Sequence, residues 1–314
     1  MKRRNFLKKS ILAGSTAIAT SVISAPIIAK SIPGKKFKMF ENHKFNLHYA
    51  PHFGMFKNTA GDDLIDQIKF IADIGFTAME DNGMKDRTIA TQEKIAAEMS
   101  RLNMKMGVFV AHSVYWREPN LTSGNTNMRA EFLKEIKESA EVAKRVNATW
   151  MTVVPGHVDL KLKPEYQTSN VVESLKKASE ILEPHNLVMV LEPLNFYNHP
   201  GLFLERIPQA FEICRTVGSP SCKILNDLYH QQITEGNLIP NIDLAWDEIA
   251  YFQMGDNPGR KEPTTGEINY LNIFKHIDNK GFKGILGMEH GNSKPGKEGE
   301  QALIDAYRAV DSFK

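Results

Sequence analysis

Eight short apolar runs alternate with amphipathic helical patterns along most of this 314-residue chain. The runs are rich in Val, Ile, Phe, Met and Leu, as expected of parallel strands buried on both faces. They fall at residues 45–50, 76–80, 106–111, 149–154, 188–192, 223–227, 250–253 and 285–289. Helical patterns lie at residues 63–74, 91–102, 128–146, 171–182, 208–217, 269–280 and 302–313. The alternation predicts an α/β fold, a (β/α)8 TIM barrel.

An open, doubly wound sheet is the alternative arrangement of the same elements. Its dinucleotide-binding version needs a Gly-rich phosphate turn after the first strand, and the sequence has none there. We therefore predict one barrel domain over residues 45–314, preceded by a linker at residues 30–44.

The N-terminal sequence Lys-Arg-Arg-Asn-Phe-Leu-Lys resembles a twin-arginine export signal. The following stretch, to about residue 28, contains Gly, Ser and Thr and is too polar for a typical membrane span. We predict that residues 1–29 engage the twin-arginine export machinery and bring the protein to the periplasm. Ala25 and Ala29 are the candidate cleavage positions, but each has an isoleucine upstream at a place where a small residue is expected. If the segment is not cleaved, it would act as a membrane anchor. An ordinary basic start of a cytoplasmic protein is the alternative.

The formal net charge of +2 includes five basic residues of that segment, and without them the charge is −3. A mildly acidic body argues against nucleic-acid binding, which needs a basic surface. Cys214 and Cys222 are the only cysteines, and they form either a disulfide or two buried thiols.

Four predicted strands in the second half end on a side chain that can bind a metal ion: Glu192, Asp227, Gln253 and Glu289. Burying a carboxylate without a partner is costly, so four such ends in succession indicate a shared ion. The C-terminal ends of the strands form the active face of a TIM barrel. Three carboxylates and an amide oxygen suit one divalent ion, Mn²⁺ or Mg²⁺.

Glu192 and Glu289 are the candidate acid–base pair, because two carboxylates at opposite sides of a barrel mouth can flank a bound sugar. A buried salt bridge is the alternative for each glutamate, and a helix N-cap is the alternative for Asp227. The candidate substrate-binding residues are His230, Arg260, His112 and Asn195. The alternative for Arg260 is a surface ion pair, and Trp116 either walls the pocket or packs in a loop.

These motifs resemble the xylose isomerase-like TIM barrels, in particular the hydroxypyruvate isomerase branch. The resemblance covers residue 45 to the C-terminus and rests on Glu192-Pro-Leu-Asn, Asp227-Leu-Tyr-His, Gln253 with Asp-Asn-Pro-Gly-Arg260, and Gly-Met-Glu289. It implies that the four strand-end residues bind one divalent ion, that the two glutamates move a proton through an enediolate, and that His230 and Arg260 hold substrate oxygens. Ketose epimerases carry a second glutamate where this chain has Asn198 or His199.

The resemblance predicts a divalent-metal-dependent isomerase or epimerase acting on a small sugar or hydroxy-keto acid. A keto-sugar lyase or dehydratase on the same site is the first alternative, and an exported sugar-binding protein without turnover is the second. A DNA-repair endonuclease on the same barrel is disfavoured by the acidic body. Assembly into a homo-oligomer is left open, because the sequence does not determine the oligomeric state.

Overall fold

The computed structural model describes residues 43–314. The predicted signal segment, residues 1–29, and most of the predicted linker, residues 30–44, lie outside this range. Within residues 43–314, no helix combines the length and apolar character needed to cross a membrane.

Eight parallel strands form the inner wall of the barrel. The strands are β1 (His48–Ala50), β2 (Ala78–Met79), β3 (Lys105–Met106), β4 (Trp150–Val153), β5 (Val188–Leu191), β6 (Cys222–Asp227), β7 (Ile249–Gln253) and β8 (Ile285–Gly287). Six strands pair in the order β1-β8-β7-β6-β5-β4, and β2 pairs with β3. Single bridges between His52 and Glu80 and between Val110 and Thr152 connect the two sheets. The prediction of a (β/α)8 barrel is confirmed.

Helices surround the strands. They are α1 (Lys57–Ala60), α2 (Leu64–Asp73), α3 (Ile89–Arg101), α4 (Thr126–Val146), α5 (Pro164–Leu182), α6 (Ile207–Val217), α7 (Leu228–Thr234), α8 (Leu238–Ala245), α9 (Tyr270–Asn279) and α10 (Gly296–Val310). Short 3₁₀ turns lie at Met84–Asp86, Leu121–Ser123, Glu183–His185 and Trp246–Glu248. The sequence patterns did not predict α1, α7 and α8, which have only four, seven and eight residues.

Local sequence explains where the predicted helices begin and end. The Asp63 carboxylate accepts hydrogen bonds from the backbone N–H groups of Ile65 and Asp66, which otherwise lack a partner in the first turn of α2. Asn125 caps α4 in the same way. After α2 the chain turns through Gly75, whose φ of 103° is a conformation that favours glycine.

The core has two parts. A small cluster fills the barrel interior: Ala50, Ala78, Val108, Val190, Leu225, Tyr251 and Ile285. A much larger cluster lies between the strands and the helices. Cys214 and Cys222 are free, buried thiols between α6 and β6. Apolar side chains thus hold the strands from both sides, and polar groups collect at the strand ends.

Candidate active site

The four predicted ion ligands lie at the C-terminal ends of neighbouring strands. Glu192 directly follows β5, Asp227 ends β6, Gln253 ends β7, and Glu289 lies two residues beyond β8. Asp227 is paired in register with Gln253. Glu192, Asp227 and Gln253 are 8%, 0% and 1% exposed. Four polar side chains therefore share one end of an otherwise apolar barrel.

Arg260 lies between two of these carboxylates. Its Nη2 donates to Oδ2 of Asp227 at 3.1 Å and to Oε2 of Glu289 at 2.7 Å, and its Nε donates to the backbone oxygen of Glu289 at 3.1 Å. The guanidinium also stacks over the Tyr229 ring at 4.8 Å. A turn in which Asp256 donates its backbone N–H to the Lys261 oxygen carries Arg260 back over the barrel mouth. Arg260 thus places one positive charge among the site carboxylates.

Asp227 has two structural roles. Its Oδ1 accepts from the backbone N–H of Tyr229 at 2.8 Å, so it is the N-cap of α7, while its Oδ2 contacts Arg260. The N-cap role that the sequence offered as an alternative therefore coexists with a place in the site.

His230 faces Asp227, with Nε2 3.5 Å from Oδ2. Asn195 lies behind the ring: its backbone N–H and its Nδ2 donate to His230 Nδ1 at 3.1 and 2.6 Å. Burial lowers the pKa of His230 to about 4, so the ring is neutral at pH 7. Because Nδ1 accepts, the remaining proton is on Nε2, and His230 is a hydrogen-bond donor toward the site. Asn195, predicted to bind substrate, is fully buried, and its two hydrogen bonds hold the His230 ring.

A divalent ion fits this group of residues. Glu192, Asp227 and His230 bring potential ligand atoms within 4.8 Å of one another. Oε1 of Gln253 is buried and has no hydrogen-bond partner within residues 43–314, although buried amide oxygens normally have one. The proton on His230 Nε2 favours the amide oxygen over the imidazole as a ligand. The oxygen-rich set of Glu192, Asp227, Gln253 and Glu289 is typical of hard cations.

A cavity of about 320 Å³ opens beside the carboxylates. Its wall is formed by Asn82, Val110, His112, Val114, Trp116, Thr152, Val154, Glu192, Leu194, His199, His230, Arg260 and Glu289. The predicted site residues His112, His230 and Arg260 therefore lie on one cavity with both candidate acid–base groups. Asn195 is not part of its wall.

Burial dominates the electrostatics of the two glutamates. It raises the pKa of Glu192 well above the usual range, and the neighbouring Glu289 and Asp227 raise it further. Burial likewise raises the pKa of Glu289 to about 7, with Arg260 acting in the opposite direction. A carboxyl group with a pKa near neutrality can both take up and release a proton at physiological pH.

Three further residues belong to the site and were not assigned a role from the sequence. Glu80 follows β2 and is 1% exposed, and it accepts from Tyr251 Oη at 2.8 Å and from Gln253 Nε2 at 3.2 Å. Asn82 donates to Glu289 Oε1 at 3.0 Å. His199 stacks on Trp116 in the cavity wall. Glu80 and Asn82 could have been identified from their position in the sequence, because they follow a strand as the predicted ligands do.

Comparison with known proteins agrees with the fold. Residues 68–310 match the model of the xylose isomerase-like TIM barrel family, and the chain belongs to that family. Hydroxypyruvate isomerase from Escherichia coli K12 is 32% identical over 180 residues, which cover 57% of this chain and 69% of that protein.

Two solved structures share the fold. An AP endonuclease of family 2 from Brucella melitensis superposes with a TM-score of 0.72 at 21% identity, over 85% of this chain and 99% of the other. A 3-keto-D-glucoside 4-epimerase from E. coli superposes with a TM-score of 0.69 at 16% identity, over 84% of this chain and 98% of the other. At these identities the two structures show the fold alone, and it is hydroxypyruvate isomerase from Escherichia coli K12 that supports an isomerase.

Proposed function

We propose that this protein is a divalent-metal-dependent isomerase or epimerase that moves a proton between carbon atoms of a hydroxy-carbonyl substrate. The observation that carries the proposal is that the buried Glu192 and the half-buried Glu289 line the same cavity beside an oxygen-rich ligand set. The relative from E. coli is named for the same type of reaction.

In this proposal the two glutamates act as general base and general acid. One removes a proton from the carbon beside the substrate carbonyl, and the other returns a proton to the neighbouring carbon or the opposite face. Asn82 holds Oε1 of Glu289, which fixes the direction of its carboxylate. A proton-transfer group needs a pKa near the working pH, and in the ion-free protein burial raises the pKa of Glu289 to about 7.

Two neighbours of the glutamates bind substrate oxygens. His230 donates from Nε2, because Asn195 keeps Nδ1 as the acceptor. Arg260 donates from its guanidinium, which lies on the cavity wall next to Glu289. Both groups hold a substrate oxygen close to the carboxylates and so align the carbon-bound proton with them.

Glu192, Asp227, Gln253 and Glu289 are the residues that would hold the ion, with Mn²⁺ or Mg²⁺ as the expected metals. Such an ion polarises a carbonyl and stabilises the negative charge that develops on its oxygen.

Solvent exchange tests the proposal. The Mn²⁺-loaded protein is incubated in D₂O with ketoses, 2-oxo acids and 3-keto-glycosides, and NMR follows deuterium entry at carbon. We expect exchange beside a carbonyl, reduced roughly 10²- to 10⁴-fold in Glu289→Gln. Glu300→Gln is the control, since Glu300 is a hydrogen-bonded glutamate that binds Asn58 and Thr59 away from the cavity. Absence of exchange in all compounds would refute the proposal.

We also propose that residues 1–29 direct export by the twin-arginine route to the periplasm. The support is the paired Arg3 and Arg4 followed by Phe6, Leu7 and Lys8. Cell fractionation of the full chain and of the Arg3→Lys, Arg4→Lys double variant tests it. Equal distribution of both proteins between cytoplasm and periplasm would contradict it.

A further inference from the structure

A second cavity lies at the opposite end of the barrel from the candidate active site. It measures about 440 Å³ and is lined by residues at the N-terminal ends of the first four strands. His48, Lys105 and Trp150 are the first residues of β1, β3 and β4, and Thr77 directly precedes β2. The other lining residues are Asn103, Met104, Met106, Asn147 and Thr149. The proposed function does not use this end of the barrel.

Lys105, His48 and Thr77 form a chain of hydrogen bonds on the cavity wall. Nζ of Lys105 lies 3.1 Å from Nε2 of His48, and Nδ1 of His48 lies 2.7 Å from Oγ1 of Thr77. An ammonium group can only donate, so Nε2 accepts, and the proton of the neutral ring is on Nδ1, which donates to Thr77. The hydroxyl proton of Thr77 and two protons of the Lys105 ammonium therefore remain available to a ligand.

The cavity carries positive charge without a compensating carboxylate. No Asp or Glu is found among the residues of the described chain that line it. Lys283 adds a second charge nearby, since it lies just before β8, which pairs with β1. Burial lowers the pKa of His48, and Lys105 and Lys283 lower it further, so the ring is neutral at pH 7.

Both lysines lack an acidic partner. Neither Lys105 nor Lys283 forms an ion pair with a carboxylate of residues 43–314, whereas Lys223, on β6, binds Glu248 at 2.6 Å. An anion in the cavity would therefore meet positive charge that no side chain of this part of the chain already neutralises. Hydrogen bonds in which the donor or acceptor is charged are roughly twice as strong as neutral ones.

The C-terminal ends of α3 and α4 also reach the cavity, through Asn103 and Asn147. Helix C-termini carry partial negative charge, which disfavours an anion. Basic residues in the last turns offset that charge: Arg101 in α3, and Lys144 and Arg145 in α4. The side-chain amides of Asn103 and Asn147 make no hydrogen bond to the described residues, and each amide offers two further donors.

We propose that this cavity binds a phosphate group, with its oxygens on Lys105 and Thr77 and the organic part of the ligand against Trp150. Ammonium, hydroxyl and amide donors on several sides suit a group with four oxygens. Buried Met104 and Met106 and half-buried Trp150 give the cavity an apolar surface beside the donors. A soluble phosphate ester and a phospholipid headgroup share this chemistry. The proposal is independent of the proposed function.

Nitrogen-15 NMR of the His48 ring tests the proposal in the Mg²⁺-loaded full chain. The probes are inorganic phosphate, glycerol 1-phosphate and monomeric dihexanoyl phosphatidylglycerol, each compared with sodium chloride at equal ionic strength. We expect at least one probe to raise the pKa of His48 by about one unit in a saturable titration, because a bound anion favours the imidazolium form. The ring reports this cavity alone, so phosphate bound at the candidate active site does not interfere.

The probes distinguish the two sources of phosphate. Saturation by a soluble phosphate supports the proposal and assigns a free phosphate compound. Saturation by phosphatidylglycerol alone supports it and assigns a lipid headgroup. A shift no larger than that caused by sodium chloride, for every probe, overturns the proposal.

Variants of the hydrogen-bonded chain make the test specific. Lys105→Gln should weaken phosphate binding about tenfold or more, and Thr77→Val, of similar shape, should weaken it a few-fold. Lys137→Gln removes an exposed lysine of α4 and is the matched control, with unchanged affinity. In ligand-free Lys105→Gln the pKa of His48 should already be higher than in the wild type, because one cation beside the ring is gone. Equal phosphate affinity of Lys105→Gln and the wild type contradicts the proposal.

Discussion

The amide of Gln253 is fixed by a buried carboxylate: its Nε2 donates to Oε1 of Glu80 at 3.2 Å. This bond leaves Oε1 of Gln253 as the atom available to the site. Glu80 is held in turn by Tyr251, whose hydroxyl donates to its Oε2 at 2.8 Å. Glu80 therefore acts on the site through Gln253, as residues behind metal ligands commonly do.

Glu80→Gln should weaken Mn²⁺ binding roughly 10- to 100-fold, because the new amide no longer presents two acceptor oxygens to Gln253. Isothermal titration of Mn²⁺ into metal-free protein measures the affinity. Tyr251→Phe is the control, since it removes the other hydrogen bond to Glu80 without touching Gln253. The positioning role is wrong if the two variants bind Mn²⁺ equally well.

Gly287→Ala should destabilise the fold by about 1–3 kcal/mol, through overpacking against the same carboxylate. A Cβ at residue 287 would lie 2.0 Å from Oε2 of Glu80. At Gly83 a Cβ would meet only Oδ1 of Asp81, at 3.7 Å, and φ is −89°. Gly83→Ala should therefore change the free energy of unfolding by less than about 0.5 kcal/mol. Urea unfolding of both variants measures these changes in the free energy of unfolding. Similar losses of stability in the two variants would contradict the prediction and show that Glu80 moves aside.

Asn195→Ala should loosen the His230 ring but keep its tautomer, because the 2.6 Å bond from Asn195 Nδ2 is lost while the backbone N–H of residue 195 still donates to Nδ1 at 3.1 Å. We expect kcat/KM to fall about tenfold, the order of one hydrogen bond. Nitrogen-15 NMR of the histidines reports the Nε2–H form directly. Asn241→Ala, which removes a bond to the Gly236 oxygen far from the cavity, is the matched control. An unchanged kcat/KM in Asn195→Ala would disprove the orienting role.

His112 should make the fold acid-sensitive. Its Nδ1–H donates to the Ser113 oxygen, its Nε2 accepts from the Val154 N–H, and burial lowers its pKa from 6.5 to about 4. Below pH 6.5 the unfolded chain takes up a proton that the folded ring does not, so stability falls as pH drops toward 4. Glu135 opposes this shift and Lys85 adds to it.

From pH 7 to pH 5 the contribution of His112 to the free energy of unfolding should decrease by about 2 kcal/mol. Urea unfolding at both pH values should show that His112→Gln loses less stability than the wild type by this amount. His185→Gln, at an exposed position, is the control. Identical pH dependence of His112→Gln and the wild type would count against the prediction.

The sequence predicted the barrel because each buried strand carries its own apolar signal, as in β5 and β6, where the observed ends match the predicted ones closely. It also placed Glu192, Asp227, Gln253 and Glu289 at one end of the barrel, since strand ends need no knowledge of packing. The contact between Glu80 and Gln253 spans 173 positions and has no local pattern. Asn195 could not be separated from a substrate ligand, because its direction depends on packing against His230.

The short helix α7 begins at the active site itself. One oxygen of Asp227 holds the first turn of this seven-residue helix, and the other faces Arg260. A change in charge at the barrel mouth should therefore alter the hydrogen bond by which Asp227 caps α7. The amide hydrogen exchange rate of Tyr229 measures the local opening of this helix. A ligand bound in the site should slow that exchange, so the rate reports whether the site is occupied.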